Sequence, residues 1–229
     1  MQRIIASDQI VLTPSRLSPL DLVWIKMIHR VAMTPDSSTP IPPDLLPRPG
    51  TRWCEYEKRA LEIRRLVSLR SDQPLDPFRL ADLLQFQILR LSELDQLPET
   101  LRQPLSDPKL WSGAALRLPD HASVLILLND SQSPRRLRAT LMEEICHLLL
   151  GHPPSRLTPE QPTGRTFTRQ VEEEAYAIGA AALVPYAGLR QLLPRHPSVV
   201  ALADHFIVSR ALLRYRLTVL QLLDFLLTS

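Results

Sequence analysis

The sequence predicts an α+β protein, mostly helical, with one small antiparallel sheet and a helical C-terminal tail. Three observations predict it. Apolar residues recur at helical spacing through most of the chain beyond residue 50. One clear β signal interrupts them: the runs Ser112–Pro119 and Ser123–Asn129 flank a short polar turn at Asp120-His121, the pattern of a hairpin. The stretch that follows, Leu137–His152, is apolar nearly all round, which marks a buried helix.

The 229 residues suit one large domain, or one domain with an appendage. Residues 1–50 are a proline-rich extension in which only Leu20–Met33 has helical character, with Ser18 as a cap and Pro19 at the first position. The compact domain is expected over 51–195. Trp53–Leu69 reads as an amphipathic helix. A second begins at Asp76, its cap, with Pro77 at the first helical position. Phe86–Leu91 reads as a short strand and Pro98–Leu105 as a short helix or turn. Ser133 is placed to cap the central helix. After Gly151 comes a loop holding Pro153, Pro154, Pro159 and Pro162. Gln170–Val184 is then a helix ended by Pro185, and its small residues, from Ala175 to Ala182, let it press closely on the central helix. The segment 196–229 is helical, and Val199–Leu217 resembles a helix-turn-helix with Ser209 as its second cap. In that reading Arg210, Arg214 and Arg216 are available for phosphates; the competing reading is a helical pair packed on the domain, and direct DNA contact is not expected.

Apolar residues make up 45% of the chain and charged residues 22%, ordinary for a globular protein. The formal charge of +3 comes without a dense basic run, so it gives little ground for a nucleic-acid partner. Cys54 and Cys146 lie too far apart in sequence for a metal-ligand spacing, and suit a reducing compartment. No apolar stretch is long enough to span a membrane and no signal-peptide pattern is visible, so a cytoplasmic protein is expected.

The central helix carries an energetic anomaly. Glu143, Glu144 and His147 fall within one sector of about 100°, beside the small Thr140 and Gly151. Two carboxylates and an imidazole on a buried helix are costly unless paired, protonated or bound to a metal. Zinc peptidases carry His-Glu-x-x-His on a helix, where histidines at i and i+4 hold the metal from one face and the Glu activates water. Here the pattern is Glu143-Glu144-Ile145-Cys146-His147, and the helix containing Glu172, Glu173 and Glu174, about 25 residues on, offers a carboxylate as a third ligand. The plainer reading is a solvated stripe with a Glu144–His147 pair and an acidic first turn favoured by the helix dipole. His152 follows a glycine that stops helices and, on continued helical spacing, points away from the site. His121 reads as an exposed turn residue, and Cys146 as a small core residue on another side of the helix.

With the segments Trp111–Pro119, Leu128-Asn129, Ser133-Pro134, Leu148-Leu149-Leu150-Gly151-His152 and the Glu172–Pro185 helix, the chain from about Thr51 onward resembles the ImmA/IrrE family of metallopeptidase-like proteins. The resemblance implies a short sheet packed on a zincin-like motif helix, with the third ligand on the helix that follows. It implies that Glu144 is the general base, His147 a metal ligand, and Glu172 the third ligand, with Glu174 as the alternative. Glu143 stands where the family has its first histidine and takes that ligand position. Tyr176 stands where the family usually has Asn or Asp, one turn from Glu172. It can donate a hydrogen bond to a ligand carboxylate or to an oxyanion. Such a site holds a divalent metal, zinc or, since two of the donors are carboxylates, a harder ion such as manganese. A Glu-His-Glu set neutralises the ion, so the site is a weaker Lewis acid than one built from two histidines and a glutamate. The family cuts helix-turn-helix repressors in response to stress or mobile-element signals. The implied function is an endopeptidase acting on such a protein; the alternative is an inactive pseudopeptidase that binds a regulatory partner.

Overall fold

The computed structural model describes residues 41–48, 50–94, 106–107, 111–117, 124–152, 169–195, 198–223 and 226. The helix expected at Leu20–Met33, the turn containing His121, the segment Pro98–Leu105 and the proline loop after Gly151 lie outside the described residues.

Helix α1 (Arg52–Leu66) begins at Thr51, whose hydroxyl accepts the Cys54 N–H at 3.3 Å. Helix α2 (Pro77–Leu83) begins as its sequence predicts, with Pro77 first and the Asp76 carboxylate accepting the Phe78 N–H at 3.2 Å. Strands β1 (Gln87–Arg90), β2 (Gly113–Arg117) and β3 (Val124–Leu128) follow, then the central helix α3 (Pro134–Leu149). After it come α4 (Arg169–Leu183), α5 (Tyr186–Leu192), α6 (Val199–His205) and α7 (Arg210–Val219). The architecture is α+β and mostly helical. Ser133 does stand at the cap position of α3, but its side chain accepts no capping bond, and Pro134 starts the helix by fixing the backbone.

The three strands lie in the order β1-β3-β2. β2 and β3 pair antiparallel, with Ala115 opposite Ile126. β1 pairs parallel with β3, placing Ile88 opposite the same Ile126. The sheet is therefore mixed rather than antiparallel throughout. The hairpin signal is local and carries its direction with it, whereas β1 finds its partner far along the chain, and an apolar run says nothing about the direction of a distant pairing. Along β3, Val124, Ile126 and Leu128 point into the core, and Leu125 and Leu127 are half-buried.

α3 sits between this sheet and α4. Leu137, Leu141, Ile145 and Leu148 are buried along one face, and Cys146, fully buried, fills another. The small residues of α4 let it lie close: a Cβ on Gly179 would stand 3.4 Å from Met142 Cγ and 3.5 Å from the Met142 carbonyl group. α6 and α7 join the same core through Leu202, Phe206, Leu212, Leu213 and Leu217, and Ser209 caps α7 by accepting the Leu212 N–H at 3.1 Å.

Arg216, one of the arginines the helix-turn-helix reading offers to phosphates, is buried inside the protein. Its Nε donates to the Val184 carbonyl at 2.9 Å, and its guanidinium lies 2.6 Å from the fully buried Glu57 carboxylate of α1. Glu57 also accepts the N–H of Tyr186, at the start of α5. Arg210 and Arg214 remain exposed. A second buried arginine, Arg64, donates to the Ala182 carbonyl at the end of α4, at 2.7 Å, and to the carbonyls of Arg70 and Gln73. Burial lowers its guanidinium to about 10. Among the described residues, no helix is long and apolar enough to cross a membrane.

Candidate metal centre

Helical spacing on α3 puts Glu143 and His147 one turn apart, and the close approach of α4 brings Glu172 over them. Ligand atoms of Glu143, His147 and Glu172 all lie within 4.8 Å of one another. His147 Nε2 and Glu172 Oε1 are both closed off from solvent and stand 3.9 Å apart. This geometry fits a metal ion. Four-coordinate zinc with bonds of about 2.0–2.1 Å holds neighbouring ligand atoms about 3.4 Å apart, so the His147–Glu172 pair would close by about half an ångström and a pair at the 4.8 Å limit by about 1.4 Å, movements within the reach of glutamate rotamers.

Glu144, next to Glu143 in the chain, is not one of the three. It is buried, and it packs against the start of β2: a Cβ on Gly113 would lie 3.3 Å from Glu144 Cγ and 3.4 Å from its Oε1. The neighbouring Thr140 is closer still, with its Cγ2 at 2.8 Å from that Cβ position. Gly113 is therefore where strand backbone and motif helix touch, and the absence of a side chain lets the Glu144 carboxyl lie there. Gln132 supports the junction by donating to the Ser112 and Asn129 carbonyls at 2.9 and 3.0 Å.

The three glutamates that open α4 separate by role. Glu172 enters the cluster. Glu173 faces outward to Arg52 of α1, at 2.9 Å. Glu174 lies 3.7 Å from Arg59 of α1 and 3.5 Å from His152 Nε2. It stands outside the group formed by Glu143, His147 and Glu172. Tyr176, one turn after Glu172, packs its ring on Tyr215 of α7 with centroids 5.1 Å apart. Burial, and then the charge of Glu143, raise its phenol, so it stays a neutral hydrogen-bond donor at neutral pH.

His152 does not point away. Gly151 adopts φ +67°, and the chain closes a Schellman turn: Gly151 N–H donates to Leu148 O at 3.2 Å and His152 N–H to His147 O at 3.0 Å. The turn folds the His152 ring back onto His147, Nδ1 to Nδ1 at 3.0 Å. Helical extrapolation misses this contact because the helix ends at Leu149, three residues before His152. The signal that could have found it is the Gly-His pair itself, since a glycine at that position reverses the chain. Cys146, on the side of α3 away from the cluster, is held as a neutral thiol by burial.

Residues 105–218 match the peptidase family described as the IrrE N-terminal-like domain, and this part of the chain is a domain of that metallopeptidase-like family. The match opens ahead of β2 and runs into α7, so it spans α3 and α4 with their acidic cluster. Searches of curated proteins and of solved structures found no match to the chain.

Proposed function

We propose that the protein is a metal-dependent endopeptidase acting on a protein substrate, with a DNA-binding repressor as the substrate class. The observation that carries this reading is the convergence of Glu143, His147 and Glu172 from two helices, with Glu144 beside them. Glu143, His147 and Glu172 would hold the divalent ion. Bound there, it would polarise a peptide carbonyl and acidify a water. Glu144 takes the proton of the attacking water and delivers it to the leaving amide nitrogen. The Tyr176 phenol, kept neutral, is a donor for charge that develops nearby. An extended substrate has a surface to follow, because among the described residues β2 is an edge strand, and its first residue, Gly113, adjoins Glu144.

Zinc is the first candidate ion, and the two carboxylates make manganese the second. The repressor assignment rests on family membership alone. Metal content of purified protein, with cleavage of a peptide library read by mass spectrometry, tests the reading. Wild-type protein should carry one ion per chain. Glu144→Gln should retain the ion and lose cleavage by about 10²–10⁴-fold. Protein that binds neither zinc nor manganese, or a Glu144→Gln variant that cleaves at the wild-type rate, overturns it. One observation favours a second reading: Glu143 makes the donor set neutralise the ion, which weakens it as a Lewis acid. A pseudopeptidase of this kind would bind metal and an intact partner, cleave nothing, and be indifferent to Glu144→Gln.

A further inference from the structure

From His147, a member of the metal-ligand set, three side chains outside that set, His152, Glu174 and Arg59, form a line running away from it. His147 Nδ1 lies 3.0 Å from His152 Nδ1. His152 Nε2 lies 3.5 Å from Glu174 Oε2, and the other Glu174 oxygen lies 3.7 Å from Arg59. The line draws on the turn after α3, on α4 and on α1. The His152 side chain is only 9% exposed, and its backbone is held by the Schellman turn, so the ring is fixed rather than resting on the surface.

Two nitrogens 3.0 Å apart share one proton between them. An imidazole that coordinates metal through Nε2 must be neutral and must carry its proton on Nδ1. The facing His152 Nδ1 then has to accept, so the His152 proton sits on Nε2, the atom that faces Glu174. Each donor has its acceptor, and the order runs one way: His147 Nδ1–H to His152 Nδ1, then His152 Nε2–H towards the Glu174 carboxylate, which Arg59 holds from the far side. We propose that His152, backed by Glu174, is the positioning residue that fixes His147 in its metal-binding tautomer with Nε2 aimed at Glu143 and Glu172. This rests on the metal-centre reading above. Histidine ligands in metal sites generally hand their second N–H to a carboxylate or carbonyl; here an interposed histidine extends that contact by one ring. It also gives Glu174 a role distinct from that of a ligand.

The test measures zinc and manganese affinity by competition with a chromophoric chelator, for wild type, His152→Phe, His152→Asn and Glu174→Gln. Phe keeps the ring but offers no acceptor, so affinity should fall about 10–100-fold. Asn places an amide oxygen where Nδ1 was and should bind within a few-fold of wild type. Glu174→Gln, on a side chain that is partly exposed and tolerant of change, should lose about tenfold, the low end of the same range. Long-range ¹H–¹⁵N spectra of the zinc-loaded wild type should place the proton on His147 Nδ1. If His152→Phe and Glu174→Gln both bind as tightly as wild type, or if loaded His147 carries its proton on Nε2, the relay is overturned while the metal centre stands. Wild-type protein that binds neither ion overturns both.

Discussion

Gly113 shows how much one absent side chain does. A Cβ there would stand 2.8 Å from Thr140 Cγ2, closer than real side chains approach, and within 3.4 Å of the Glu144 carboxyl. Thr140 is buried and branched at Cβ, so it cannot swing aside. Gly113→Ala should destabilise the fold by about 1–3 kcal/mol, the range for overpacking, and lower any Glu144-dependent activity. Because the closest clash is with a single methyl group, adding Thr140→Ser, which removes that methyl, should restore part of the loss. Urea unfolding of the two single variants and the double variant checks this. Strictly additive effects would show that the contact does not limit packing. The same scale explains what a reading of the sequence finds in the site and what it misses. The shared sector of Glu143, Glu144 and His147 is legible because spacing on a regular helix sets their direction, whereas Glu172 is singled out from Glu174 only by the family resemblance. His152 is not legible, because a single φ of +67° at Gly151 redirects the chain.

At the scale of the element, the distance between α3 and α4 sets the size of the cluster, since it places Glu172 over His147. Gly179 lies at this contact, but the space left there is ordinary van der Waals distance, 3.4–3.5 Å from a notional Cβ to Met142. Two effects compete in Gly179→Ala. Replacing an interior helical glycine by alanine stabilises by about 0.5–1 kcal/mol, and no clash opposes it. Gly179→Ala should therefore raise the unfolding midpoint without changing metal affinity. Gly179→Leu should do the reverse on both counts, because the neighbouring Met142 backbone atoms cannot move and the helices must part. A destabilised alanine variant would show that the helices pack more tightly than these distances indicate. Elements whose partners are near in sequence are legible: the caps at Asp76 and Ser209, the hairpin pairing of β2 with β3, and the small-residue face of α4. The direction of β1 is not, because its partner lies beyond β2 and the pattern of an apolar strand is the same whichever way it pairs.

At the scale of the molecule, the ends of the described domain are joined by a charge pair that no pattern in the sequence marks as buried. Glu57 of α1 and Arg216 of α7 are 0% and 1% exposed, and their contact at 2.6 Å also draws in the Val184 carbonyl and the Tyr186 N–H at the α4–α5 junction. An amphipathic helix in sequence shows charged residues at intervals. It does not show which of them faces inward, and Arg216 therefore looks like its exposed neighbours Arg210 and Arg214. Removing one partner strands the other charge in the core. Arg216→Met should cost about 3–5 kcal/mol, and Glu57→Leu a similar amount, with the unpaired Tyr186 N–H added. Removing both charges together leaves no ion uncompensated. The double variant should therefore be more stable than either single variant, with a coupling of roughly 0.5–3 kcal/mol for groups in direct contact. Chemical unfolding of the four proteins measures that coupling directly. Single variants that lose less than about 1 kcal/mol would mean that the pair behaves as a solvated surface bridge. In that case α7 would hold to the domain by its leucines alone, through Leu212, Leu213 and Leu217.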